Sequence, residues 1–309
     1  ALHNYHDVHG MFPARQGGSG TIMDGGHRFR MSGFVAIAPY HDQKNLYDAI
    51  MEAQDKPWAD SPWWQTSPLV LRCPSDVGDV PPAGAGPHGT TSYAFCAGDT
   101  YVGSAIDPSE RTDPVLAAKT LPMRNRGVFG RGSCTRMRDI TDGTSNTIAL
   151  AERSRPGDLL DKGMVALASG SDPATFIPAD CAATFSGGRY VAGTPMFIHS
   201  TSPGYRWGDG AAFFQAITTI LPPNSANCLI GAATWPSGGG HFAPGIWTAS
   251  SEHPDGVMVL LADGSVRFVS DSIDAGNVLS VPSGMGKSAH GVWGSTGTRN
   301  AGEMGRFGG

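Results

Sequence analysis

The sequence predicts an α+β fold dominated by β-structure, formed as one globular unit over residues 1–309. Gly and Pro are abundant, with 43 and 23 residues, and both disfavour long helices and favour turns. Hydrophobic residues make up 40% of the chain, which allows a sizeable core. Two β-rich runs also flank an Asp-Gly pair within residues 256–270. Together these features predict short strands joined by many turns.

Two segments are expected to be helical. Residues 1–9 have the pattern of the last turns of a helix, with Gly10 as the C-cap and Pro13 as a stop signal. Because no N-cap precedes residue 1, we expect the helix to continue upstream. Apolar residues at helical spacing predict a second helix from about Gln43 to Gln54.

Strands are expected at residues 68–72, 90–96 and 147–152, and the last of these follows an Asp142-Gly143 turn. The segment from about 155 to 245 is rich in Gly, Ala, Ser and Pro and has weak periodicity, so we interpret it as a large, loop-rich insertion. Residues 275–309 are Gly-rich and polar, and we expect a peripheral extension.

The clearest local signal is a hairpin at 256–270. An Asp263-Gly264 pair suits a type I′ turn, in which both central residues have positive φ. The first strand, residues 257–261, is apolar on both faces, so we expect it to be central and buried.

Five cysteines are widely spaced, with no CxxC pair, which argues against a zinc ribbon or a thioredoxin-like motif. The spacing favours disulfides in an exported protein over five reduced thiols in the cytosol. We expect Cys181 and Cys228 to staple the insertion, and the odd count leaves one thiol unpaired or bonded outside the chain. The other candidates are Cys73, Cys96 and Cys134.

Charge and motifs argue against several function classes. The net charge is −5 with no dense Lys/Arg run, so nucleic-acid binding is not expected. No apolar run is long enough to span a membrane. HExxH and GxSxG are absent, and the Gly286-Lys287-Ser288 segment has Val281 where a phosphate-binding loop needs Gly. We therefore expect no enzymatic activity, no cofactor and no metal site.

Two further kinds of binding remain open from the residues alone. Calcium could be held at the Asp-Gly turns, although turn chemistry explains each of them better. An aromatic cluster, at Trp58, Trp63 and Trp64 or at Trp207, could form an exposed platform for a glycan or another surface ligand.

Several segments occur in the order seen in one family. His253 and Asp263-Gly264 are separated as in an H-X9-DG motif, and four further segments precede it: LHNYHDVHGMFP at the start, CPSD at 73–76, SYAFCAG at 92–98 and DGTSNTIALAE at 142–152. In these motifs and in the LYDAI helix, the chain resembles the planctomycete-type prepilin-like proteins from residue 1 to about 274.

The resemblance implies a pilin-like antiparallel sheet packed on the end of an N-terminal helix, of which residues 1–10 are a remnant. It also implies an exported structural subunit of a filament or pseudopilin assembly at the cell surface. Such a subunit associates with itself or with other pilin-like subunits, and meets the membrane only through the upstream helix. An upstream Cys in that helix would make the cysteine count even. A secreted glycan- or surface-ligand-binding module is the alternative.

His253 precedes the hairpin, and we expect it to order the hairpin base by hydrogen bonding rather than to act in catalysis. Its replacement by Ala should lower the melting temperature and leave any binding intact.

Overall fold

The computed structural model describes residues 1–21, 24–76, 88–101, 126–169, 171–197, 202–231 and 243–303. Its helices are α1 (Leu2–His9), α2 (Gly33–Ile37), α3 (Lys44–Ala53), α4 (Pro62–Gln65), α5 (Pro178–Ala182), α6 (Ala212–Gln215) and α7 (Gly291–Gly297). Its strands are β1 (Gln16–Gly17), β2 (Met31–Ser32), β3 (Tyr93–Cys96), β4 (Ile148–Glu152), β5 (Ala166–Ser169), β6 (Phe185–Ser186), β7 (Arg189–Tyr190), β8 (Ala216–Ile217), β9 (Cys228–Gly231), β10 (Gly245–Ile246), β11 (Gly256–Leu261) and β12 (Val266–Ser270).

These elements confirm the α+β class. Helices hold about 21% of the residues and strands about 17%, and the strands are divided among several small sheets. Within the described ranges, no helix combines the length and the apolar character needed to cross a bilayer.

The largest sheet has five strands in the order β12-β11-β4-β3-β8. The first four are antiparallel, and β8 joins β3 in parallel. β11 therefore lies between β12 and β4, and its Val257, Val259 and Leu261 are almost completely buried. The expectation of a central, buried first hairpin strand is confirmed.

Both faces of this sheet carry apolar clusters. On one face Phe34 of α2 packs on Phe95 of β3, with ring centroids 4.3 Å apart. On the other face Trp293 of α7 packs among Val259 and Ala151 and is fully buried. The segment after Asp274, expected to be peripheral, thus supplies a core side chain; residues 304–309 lie outside the described residues.

Helix α1 ends as expected and is docked onto the rest of the fold through its histidines. Gly10 takes the left-handed conformation, with φ of 70°, and its N–H donates to the His6 carbonyl. His3 Nε2 donates to the Ala262 carbonyl over 2.8 Å, and His6 Nε2 accepts the Met137 N–H. These bonds hold α1 beside the β11–β12 turn.

The predicted insertion at 155–245 forms a second, smaller sheet in the order β10-β9-β5. A disulfide joins Cys181 of α5 to Cys228 of β9, which confirms the predicted staple. The insertion also sends β8 into the main sheet. Residues 170, 198–201 and 232–242 of this segment lie outside the described residues.

Two local predictions are wrong. Residues 68–72 do not form a strand: Leu69–Leu71 is a 3-10 turn in which Leu71 is buried and Leu69 is 80% exposed. A strand would have placed both leucines on one face. The hairpin turn is not type I′, because only Gly264 of the Asp-Gly pair has positive φ, and its N–H donates to the Leu261 carbonyl.

Candidate functional site

Cys73, Glu152 and His253 meet at one end of the main sheet. Glu152 is the last residue of β4 and lies opposite Tyr93 of β3. His253 lies in the loop before β11, and Cys73 follows the 3-10 turn Leu69–Leu71. Antiparallel pairing of β3, β4 and β11 brings these three distant parts of the chain together.

The polar atoms of the three side chains converge on one point. His253 Nε2 lies 3.1 Å from Glu152 Oε1 and 4.0 Å from Cys73 Sγ. One ligand atom from each side chain lies within 4.8 Å of the others. In the described part of the chain, no other group of three His, Cys, Asp or Glu side chains brings its ligand atoms this close together.

The backbone holds each member of the cluster in place. Glu152 Oε2 accepts the Met258 N–H over 2.8 Å. The N–H of Cys73 donates to Ser92 Oγ, and the N–H of His253 donates to Ser251 Oγ. The cluster is therefore anchored to the residue that precedes β3, to β11 and to the loop between β10 and β11.

The electrostatic situation of Glu152 is unusual. Its side chain is 4% exposed, and among the described residues its ion pair is with His253, which is charged only when protonated. Burial of a carboxylate without a permanent cation carries a large desolvation cost. Beside it, burial raises the pKa of the Tyr93 phenol, and the nearby Cys73 and Glu152 raise it further. The cluster is thus a place where positive charge is favoured.

The cluster opens onto an apolar groove of about 710 Å³. The floor of the groove is formed by β4 and β11, and its walls by the start of α1, the 3-10 turn Leu69–Leu71 and β12. Val70 and Val266 line it and are 60% and 59% exposed. Apolar surface of this kind marks sites of association.

The geometry of the cluster does not suit nucleophilic catalysis. In a Cys-His-acid triad the nucleophile meets one imidazole nitrogen and the acid binds the other. Here Cys73 and Glu152 both approach Nε2 of His253. Convergence on a single point is instead the arrangement that a bound cation requires.

The predicted motif residues outside the cluster have structural contacts. Asp142 is buried and accepts hydrogen bonds from Ala301 N, Gly302 N and Thr298 Oγ1, so the turn at Gly143 holds the C-terminal segment. Asp263 Oδ1 accepts the Ser265 N–H and hydroxyl. The Asp263 bonds are local turn bonds, as expected at an Asp-Gly turn, whereas the Asp142 bonds are long-range contacts.

The four tryptophans of the possible aromatic platform are buried or partly buried. Trp64 and Trp207 are buried and pack on each other, with ring centroids 6.3 Å apart. The indoles of Trp63 and Trp64 both donate to Asp55 Oδ1. Trp58 is half-buried under the Arg30 guanidinium. Trp64 and Trp207 are therefore core side chains, and only Trp58 and Trp63 are partly exposed.

The two remaining free cysteines lie away from the cluster. Cys96 is buried, and burial raises the pKa of its thiol to about 12. Cys134 is exposed at the surface. Cys73 and His253 were among the residues named from the sequence, but Glu152 was not. The sequence does contain an indication of it, because Glu152 is a carboxylate directly after the apolar residues 148–151 of a predicted strand.

A family model described as "Protein of unknown function (DUF1559)" matches residues 1–276. No curated protein and no solved structure matches the chain. The matched range includes the whole Cys73–Glu152–His253 cluster and the groove.

Proposed function

Because the chain belongs to the family of unknown function DUF1559, whose description assigns no activity, we propose a function from the molecule itself. The protein is a non-catalytic structural subunit that assembles with copies of itself in a pilin-like filament or pseudopilin assembly outside the cell. The apolar groove at the start of α1 carries this proposal.

The surface around the groove is suited to association. Val266 and Phe268 project from the edge strand β12 and are 59% and 52% exposed, and Leu69 and Val70 across the groove are more exposed still. Burying such side chains against another molecule removes apolar area from water, at about 25 cal/mol per Å². In addition, an edge strand has unpaired backbone groups available to a neighbour.

Two other observations support the proposal. The Cys181–Cys228 disulfide is compatible with an extracellular location, since such bonds persist in oxidising compartments. In the cluster, Cys73 and Glu152 both approach Nε2 of His253, an arrangement that does not fit a catalytic triad. This geometry supports a non-catalytic role.

Sedimentation across a range of protein concentrations tests the proposal. We expect the average mass of the wild-type protein to rise with concentration, and the Val266→Ser/Phe268→Ser variant to remain monomeric. Leu279→Ser is the matched control, because Leu279 is 71% exposed but lies neither on β12 nor in the lining of the groove. The proposal fails if the double variant and the control associate alike while both stay folded.

A further inference from the structure

We propose that Cys73, Glu152 and His253 form a binding site for a divalent transition-metal ion of the zinc class. The site would have three protein ligands, from the thiolate of Cys73, a carboxylate oxygen of Glu152 and Nε2 of His253. It lies at one end of the groove proposed for association, but it includes neither of the residues changed in the association test.

The distances are close to those of a tetrahedral site. Zinc–nitrogen and zinc–oxygen bonds of about 2.0–2.2 Å place the two ligand atoms about 3.3–3.5 Å apart, and a zinc–sulfur bond of about 2.3 Å places sulfur about 3.6 Å from nitrogen. The observed separations are 3.1 Å from His253 to Glu152 and 4.0 Å from His253 to Cys73. Rotation of the Cys73 side chain that moves Sγ by a few tenths of an ångström brings Sγ to the separation from Nε2 that a zinc site requires.

The ion would take the place of the Nε2 proton that His253 directs at Glu152; that proton passes through solvent to Nδ1 of the same ring, and the Cys73 thiol releases its proton to solvent. Nε2 of His253 now donates to the carboxylate, and the metal takes the position between these atoms. A buried carboxylate without a permanent cation gains more from a divalent ion than from a neutral imidazole. The opposite oxygen of Glu152 keeps its bond to the Met258 N–H, which orients the ligand.

The ligand set selects the metal. Thiolate and imidazole favour zinc, cobalt and copper over calcium and magnesium, which prefer all-oxygen sites. Three protein ligands leave a fourth position for water. The His253 side chain is 35% exposed, so solvent and ions reach the site from the groove.

Cobalt titration of the metal-stripped protein, reduced with a phosphine, tests the site. We expect one equivalent of Co²⁺ to bind, with thiolate-to-cobalt charge-transfer absorption and the visible bands of four-coordinate cobalt. Zn²⁺ should displace it, and Ca²⁺ in large excess should not. A count of three thiols in the denatured sample establishes that Cys73, Cys96 and Cys134 are reduced and that the Cys181–Cys228 disulfide is intact.

Cys73→Ser and His253→Ala should weaken binding at least roughly 100-fold, since loss of a residue behind a ligand already costs ~10–100-fold. Cys134→Ser is the matched control, being a free thiol outside the cluster, and should bind as the wild type does. Zn²⁺ should also raise the melting temperature of the wild type and of the control, but not of Cys73→Ser. The proposal is overturned if the reduced wild type gives no thiolate band, or if the band persists in Cys73→Ser.

Discussion

Removal of the Cys181–Cys228 disulfide should destabilise the protein strongly. The two cysteines are 47 residues apart in sequence. A cross-link over a loop of that length lowers the entropy of the unfolded chain by an amount worth about 4 kcal/mol at 25 °C. Both side chains are buried, so alanine is the suitable replacement, because it adds no buried polar group. We therefore expect Cys181→Ala/Cys228→Ala to lose about 2–4 kcal/mol of unfolding free energy.

Urea unfolding followed by circular dichroism measures this loss, through linear extrapolation to water. Cys134→Ala controls for removal of an exposed free thiol and should change the free energy by less than about 0.5 kcal/mol. A loss below about 1 kcal/mol in the double variant would contradict this expectation, because the disulfide would then not restrict the unfolded chain as loop closure requires.

Two further predictions concern buried charge. Arg30 and Asp209 form a fully buried ion pair with two hydrogen bonds. Asp209→Asn should therefore lower the free energy of unfolding, measured in urea, by about 3–5 kcal/mol. An equal loss in Asp158→Asn, which removes a carboxylate from an exposed ion pair, would contradict this. Burial, together with the nearby charge of Arg206, lowers the pKa of His88 to about 4. Between about pH 6.5 and pH 4, His88 is therefore protonated in the unfolded chain but not in the folded chain. The free energy of unfolding of the wild type should fall as the pH is lowered through this window, and that of His88→Gln should fall less steeply. Equal slopes for the two proteins would contradict this prediction.

Local patterns in the sequence predicted the elements whose signals are themselves local. The α3 helix was expected at 43–54 and spans Lys44–Ala53, and Gly10 caps α1 as predicted. The segment 68–72 failed because a short apolar run fits a strand or a turn equally well. The Asp263-Gly264 turn was placed correctly, but its type depends on the φ of Asp263, which the dipeptide alone does not determine.

The candidate site depended on contacts that no local pattern encodes. Cys73, Glu152 and His253 are separated by 79 and 101 residues, and only the order and register of the main sheet bring them together. The tryptophans show the converse limit. Composition alone could not distinguish an exposed aromatic platform from rings such as Trp64 and Trp207 that fill the core.

Electron microscopy of the native protein, with its intact N-terminus determined by mass spectrometry on the same sample, tests the structural-subunit proposal most directly. We expect a regular filament or assembly in which neighbouring copies cover the groove beside β12. Dispersed monomers, with the groove open to solvent in every particle, would contradict it.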